Sequence, residues 1–271
     1  MNEIIEAILK SFPPHLQRHA LREVLQAHAL SQVGVSRFAP NLVFLGGTAL
    51  RILHDLPRYS EDLDFDLWDI LAEKVAFPVL AEEIADHFQR RGVPCSAAVS
   101  LRKPVWKARL VFPGLPFRFS LSPHRTEALS IKIEVDSRPN PLSRVETSVI
   151  NRYGLIFPIL RRDLSSLMAG KICAALQRPH ILARDFFDLG WFLSRKIEPN
   201  YEYLSSETGI GAPGELVRRL RERIDAVDLK KMAAAVRPFL VQPEAALLIS
   251  NLKDIIRDYA ANSAASKREK M

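Results

Sequence analysis

The residues best placed to do chemistry are Asp62, Asp64 and Asp66, which alternate with Leu63, Phe65 and Leu67. A period of two is that of a strand, so the carboxylates share one face and the apolar side chains the other. Alternate residues on a strand lie roughly 6.5 to 7 Å apart. Side chains leaning together from that spacing can share a divalent cation, and Mg²⁺ prefers a few carboxylates completed by phosphate oxygens and water. The competing reading, a merely solvated strand face, leaves like charges side by side without a counter-ion. Just upstream stand Gly46 and Gly47, where backbone can approach a ligand with no side chain between.

These residues need elements to hold them. Leu42–Leu45 is an apolar run of strand length, and Thr48 opens an amphipathic helix with Ala49, Leu50, Ile52, Leu53 and Leu56 on one face. Its start is suited to an anion such as phosphate. After a turn at Pro57 comes the Asp62 strand. Two helical stripes precede this unit, one ending before Pro13-Pro14 and the next near Gly34, and Pro78 suits the first turn of a helix that stops at Gly92. Strands are expected over Val105–Phe112, Phe117–Leu121 and Leu129–Asp136. In the last, Ile131, Ile133 and Val135 alternate with Lys132, Glu134 and Asp136. Beyond about residue 155 the pattern is helical. Asp163 or Ser165 caps a helix through Leu167 and Ile172, another helix carries Ile181 to Phe192, and 213–226 and 243–259 read as amphipathic helices. The division expected is a core over 1–154, a helical region over 155–262 and a flexible tail over 263–271.

The order Gly46-Gly47-Thr48, Arg58-x-Ser60, Asp62-x-Asp64 resembles the signature of the AbiEii/AbiGii-type nucleotidyltransferase toxins, a branch of the polymerase-beta-like nucleotidyltransferase superfamily. Lys171 in MAGKICAALQRP and Arg184, Asp185 and Asp188 in ARDFFDLGW resemble that family's helical lysine and closing Arg-Asp-x-x-Asp-Leu motif. The resemblance covers most of the chain, although its specific residues occupy only 46–64 and 171–189. It implies an α/β fold, with a polymerase-beta-like core on a mixed sheet and a helical C-terminal region. It also implies a catalytic set of Asp62, Asp64, Glu134, Lys171 and Asp188. Of these Asp62, Asp64 and Glu134 hold Mg²⁺ or Mn²⁺, with Asp136 the rival for the third carboxylate. Nucleotide binding falls to Gly46, Gly47, Thr48, Arg58, Ser60, Lys171 and Asp185. The substrate is an NTP, the acceptor an RNA, with the tRNA 3′ end best motivated, and the partner a cognate antitoxin from the same operon. Transfer to a protein or small molecule, and a binding-only protein without catalysis, stay open as alternatives.

Composition agrees with an anionic partner. The formal net charge is +7 and the pI about 9.5, which suits nucleic acid and equally suits a merely basic protein. Arg218, Arg219, Arg221 and Arg223 form a further basic run, a solvated helix face or an RNA track. Cys95 and Cys173 are far apart and fit no metal spacing. There is no Gly-x-Ser-x-Gly elbow and no Walker lysine. No basic n-region precedes an apolar h-region, and no apolar run reaches membrane-span length, so a cytoplasmic location without membrane partners is expected.

Overall fold

The computed structural model describes residues 1–68 and 76–269. Two compact units divide the chain. The first takes Met1–Asp55, Tyr59–Pro139 and Val145–Arg161, and the second takes Leu56–Arg58, Asn140–Arg144 and the chain from Arg162 on.

The first unit is built on a mixed sheet of seven strands. In chain order these are β1 (Leu42–Leu45), β2 (Asp62–Leu67), β3 (Ser96–Ser100), β4 (Val105–Pro113), β5 (Ala128–Asp136), β6 (Val145–Arg152) and β7 (Leu155–Arg162). They lie side by side as β3-β4-β5-β2-β1-β7-β6. The central pair, β2 and β5, is parallel and in register over Asp62↔Lys132, Asp64↔Glu134 and Asp66↔Asp136. On the other side of β2, β1 runs antiparallel with Leu45 opposite Asp64.

The longer helices described in this unit are α1 (Asn2–Lys10), α2 (Pro14–Val35), α3 (Gly46–His54) and α4 (Phe77–Arg90). The apolar residues of β2, Leu63, Phe65 and Leu67, join Ile131, Ile133 and Val135 of β5 and Trp106, Ala108 and Leu110 of β4 in one core. Leu21, Val24 and Leu25 of α2 and Leu80, Ile84 and Phe88 of α4 fill the same cluster. A strand slipped by one residue would bury aspartates in place of Leu63 and Phe65, so the core fixes the register.

Three expectations are corrected here. The stretch Phe117–Leu121 is no strand. Gly114, in the left-handed region at φ 66°, opens a one-turn helix over Leu115–Arg118, with Pro116 in its first turn. Residues 155–162 form β7 where a helix was expected. A two-residue turn, Tyr153-Gly154 with φ of 54° and 76°, joins it to β6, and positive φ at both positions is the geometry of a tight hairpin. Finally, α3 begins at Gly46, two residues before Thr48.

The second unit is helical. It comprises α5 (Leu164–Gln177), α6 (Ala183–Ser194), α7 (Tyr201–Thr208), α8 (Pro213–Asp225), α9 (Leu229–Val236) and α10 (Leu252–Glu269). Asp163 is the cap of α5 and accepts from the Ser166 N–H at 2.7 Å, which satisfies one of the unpaired amides of the first turn. Every residue of α6 from Asp185 to Leu193 is buried, as expected of a helix packed on all sides. Gly190 lets a neighbour approach closely, because a Cβ there would lie 2.7 Å from the Leu248 carbonyl oxygen. The single helix expected over 243–259 is interrupted. Pro243–Ala246 is a 3₁₀ turn, Leu247–Ser250 one α-turn, and α10 starts only at Leu252. That last helix takes in most of the expected tail, whose final two residues lie outside the described ones. Leu56–Arg58 is anchored to this unit by an isolated bridge between Arg58 and Leu240 and by the Val241 N–H donating to the Pro57 carbonyl at 3.1 Å.

Candidate active site

In the first unit the carboxylates of β2 meet a charged row from β5. Register places Lys132 opposite Asp62 and Glu134 opposite Asp64, and paired residues on adjacent strands point to the same face. The Lys132 ammonium lies 3.3 Å from Asp62 Oδ2 and 3.4 Å from Glu134 Oε2. Lys107, opposite Glu134 on β4, reaches its other oxygen, Oε1, at 3.0 Å. Burial opposes ionisation of Glu134, yet the two lysines outweigh it and hold the carboxyl below its ordinary range. Burial likewise opposes the charge on Lys132, and Asp62 and Glu134 raise its pKa regardless. Asp136 sits opposite Asp66 and accepts from the Arg138 N–H at 2.8 Å.

The turn before α3 is shaped to this row. Gly46 adopts φ +83°, and a Cβ on it would stand 2.2 Å from Asp64 Oδ2. Backbone conformation and space therefore both demand glycine. Thr48 is fully buried and its hydroxyl donates to the Asp62 carbonyl. Its side chain thus holds β2 in place, and any contact with a nucleotide falls to its backbone. Ser60 accepts from Gln26 through its carbonyl at 3.2 Å, bracing the approach to β2 from α2.

Hard carboxylate oxygens are the right donors for Mg²⁺ or Mn²⁺, and Asp62 and Asp64 present two carboxylates on one face. Among the described residues no three His, Cys, Asp or Glu side chains converge on one point. The fit is to an ion held by two carboxylates and completed by water and nucleotide phosphate, the usual way of holding Mg²⁺.

The second unit carries a buried ion cluster. Asp188 accepts from Arg58 Nε at 2.7 Å and Nη2 at 2.6 Å, a two-pronged pair, and from Lys171 Nζ at 2.7 Å. Its side chain is 0% exposed and that of Arg58 3%. Burial raises the cost of charge on Asp188, but Arg58 and Lys171 outweigh it and hold the carboxyl below its ordinary range. One turn earlier, Asp185 lies 3.9 Å from Lys171 and accepts from Arg178 at 2.8 Å. Arg184, beside it in the motif, is exposed. Asp188 and Arg58 are therefore placed to position Lys171, whose side chain keeps 16% exposure.

The family model described as nucleotidyl transferase AbiEii toxin, type IV TA system, matches residues 28–256, most of the chain. The chain belongs to the AbiEii nucleotidyl transferase toxin family. Its mixed α/β fold, with an N-terminal sheet core and a helical C-terminal region, has the topology of polymerase-beta-like nucleotidyltransferases. Solved structures carry the same fold. JHP933 from Helicobacter pylori aligns with a TM-score of 0.55 at 18% identity, over 93% of this chain and 96% of that one. A second H. pylori structure, described as a candidate nucleotidyltransferase, aligns with a TM-score of 0.53 at 17% identity, over 92% and 97%. No curated protein matches the chain. Among the described residues no helix is long and apolar enough to cross a membrane.

The sequence picked out Asp62, Asp64 and Glu134 on one face, and Lys171 with Asp185 and Asp188. It gave no role to Lys132, nor to Arg178. Lys132 stood in view in the alternation of β5, but its pairing with Asp62 depends on the parallel register, which local spacing does not carry.

Proposed function

We propose that this AbiEii-family chain transfers a nucleoside monophosphate from an NTP to an RNA hydroxyl, with the 3′ end of a tRNA as the acceptor, and that a cognate antitoxin from the same operon restrains it. The observation that carries this reading is the row of carboxylates on β2, aligned by register with β5 and pressed against Gly46. Asp62 and Asp64 are the residues to hold Mg²⁺, which when bound neutralises charge on the α-phosphate. The glycine turn leaves backbone N–H groups at the start of α3 for phosphate oxygens. Within the second unit, Lys171, oriented by Asp188, is a point charge of the kind that phosphate oxygens accept. The acceptor hydroxyl gives up its proton to water and its oxygen bonds to the α-phosphorus as the bond from that phosphorus to the bridging oxygen breaks and pyrophosphate leaves, a transfer governed by positioning and electrostatics. The net charge of +7 supports a polyanionic acceptor.

The test is incubation with each labelled NTP and Mg²⁺, with total RNA or a protein mixture as acceptor. Label is expected on RNA with the native chain, and about a hundredfold less or lower with Asp62→Asn or Asp64→Asn at unchanged melting temperature. Label on protein but never on RNA overturns the acceptor. Transfer undiminished in either variant overturns the role of that carboxylate.

A further inference from the structure

The way Lys132 sits among the carboxylates carries a conclusion about how many ions this site takes. Glu134 has both oxygens engaged by ammonium groups, Oε1 by Lys107 and Oε2 by Lys132. Lys132 also reaches Asp62 across the β2–β5 pair. Register makes this arrangement a property of the backbone, since Lys132 faces Asp62 and Glu134 faces Asp64. A divalent ion brought to Glu134 must approach two ammonium groups already set against it, and like charges repel. We infer that Lys132 is a built-in cation of the site: it takes the place of a second divalent ion, Glu134 is its anchor, and Asp62 and Asp64 hold a single ion. This rests on the reading of Asp62 and Asp64 as metal ligands given above.

The chemistry is consistent with that role. An ammonium neutralises the repulsion between Asp62 and Glu134 as a metal ion does, but it needs no particular coordination geometry. It has three N–H donors, and two suffice for the carboxylates. The third is available to a phosphate oxygen of the nucleotide. The side chain is 35% exposed, so a ligand can reach it. Lys107 is the weaker candidate for the same task, because its one carboxylate partner is Glu134 and its side chain is 55% exposed.

Titration with MnCl₂ alone, followed by water-proton relaxation, reads ion binding without any turnover. The native chain is expected to take one Mn²⁺. Lys132→Met removes one positive charge beside the carboxylates, and for a separation on the order of 6 Å in a water-like dielectric that corresponds to about tenfold tighter binding. Lys132→Arg keeps the cation and is expected to bind as the native chain does. Thermal melts establish that each variant is folded. Two Mn²⁺ per native chain, or Lys132→Met binding no tighter, overturns the inference while Asp62→Asn and Asp64→Asn still lose binding. If those two aspartate variants bind Mn²⁺ like the native chain, the metal assignment under the proposed function falls, and the role of Lys132 falls with it.

Discussion

The charged row on the sheet and the ion cluster in the helical unit use the same residue types to different ends. On the sheet, Asp62, Glu134 and Lys132 keep roughly a quarter to a third of their side chains in solvent, and their partners are long lysines that can be displaced. In the helical unit, Asp188 and Arg58 are sealed, and the guanidinium grips the carboxylate with two parallel bonds. Burial makes the difference. An exposed pair is worth little and exchanges readily, so it can make way for an ion or a phosphate. A buried pair strands a charge when broken, so it is suited to fixing a neighbour such as Lys171. An acidic residue in a motif thus acquires its role from its surroundings rather than from its type.

The largest effect that can test this contrast is at Asp188. Asp188→Ala takes from the buried Arg58 and from Lys171 the carboxylate between them, and a loss of about 3–5 kcal/mol in unfolding free energy is expected from urea melts. A loss below about 1 kcal/mol breaks the comparison, since it makes the buried cluster no more coherent than a surface pair.

Gly46→Ala probes the sheet side. A methyl group must enter the space of Asp64 Oδ2 at a backbone angle that L side chains rarely adopt. A cost of about 1–3 kcal/mol is expected, together with weaker Mn²⁺ binding. Native stability with weakened binding narrows the effect to the carboxylate. Native values for both remove the glycine from the site.

A third group sharpens the comparison, since among the described residues no carboxylate pairs with it. His28 and His87, each 8% exposed, have ring centroids 5.8 Å apart, and the Arg91 Nε donates to His87 Nε2 at 3.2 Å. Burial first, then His87 and Arg91, lower the pKa of His28 to about 4. Burial and the arginines Arg91 and Arg90 lower His87 to about 4 as well. Since the folded pKa is depressed, the unfolded chain binds more protons between about 6.5 and 4. Stability is fully present above that window and is lost as pH falls through it. His87→Gln is expected to flatten the slope of melting temperature against pH between 6.5 and 4, and an unchanged slope refutes the assignment.

The smallest expected effect is at Arg218, paired with Glu222 at 2.8 Å with both side chains more than half exposed. Arg218→Ala should change stability by no more than about 0.5 kcal/mol. If α8 tracks RNA, it also lowers the slope of log binding against log salt by roughly 0.7 to 0.9. A stability loss of several kcal/mol places this arginine with the buried cluster.

Legibility in the sequence followed the range of the interaction. The face shared by Asp62 and Asp64 was readable because a strand's period is local. So was the cap at Asp163, where side chain and amide lie three residues apart. The bond between Arg58 and Asp188 spans 130 positions, so both motifs were visible and their contact was not. Residues 155–162 were misread because an apolar run suits strand and helix alike, although Tyr153-Gly154 marked a turn. Gly114 and Pro116 mark a break between apolar runs, but that they open a helical turn over Leu115–Arg118 is not carried by the apolar spacing of Phe117–Leu121. Thr48 follows two glycines, a place that suits a phosphate at a helix start, whereas the burial of its side chain and its bond to the Asp62 carbonyl are tertiary information.

The alternation in β2 has one further consequence. Leu63 and Phe65 belong to the core and Asp62 and Asp64 to the opposite face of the same six residues, so what preserves the fold also preserves the outline of the site. Descent can erase a carboxylate with a single codon change, but it cannot shift the row without losing the protein. A lineage that abandoned catalysis would therefore keep the mould long after the chemistry had gone, and would remain recognisable by shape to whatever partner had learned to grip it.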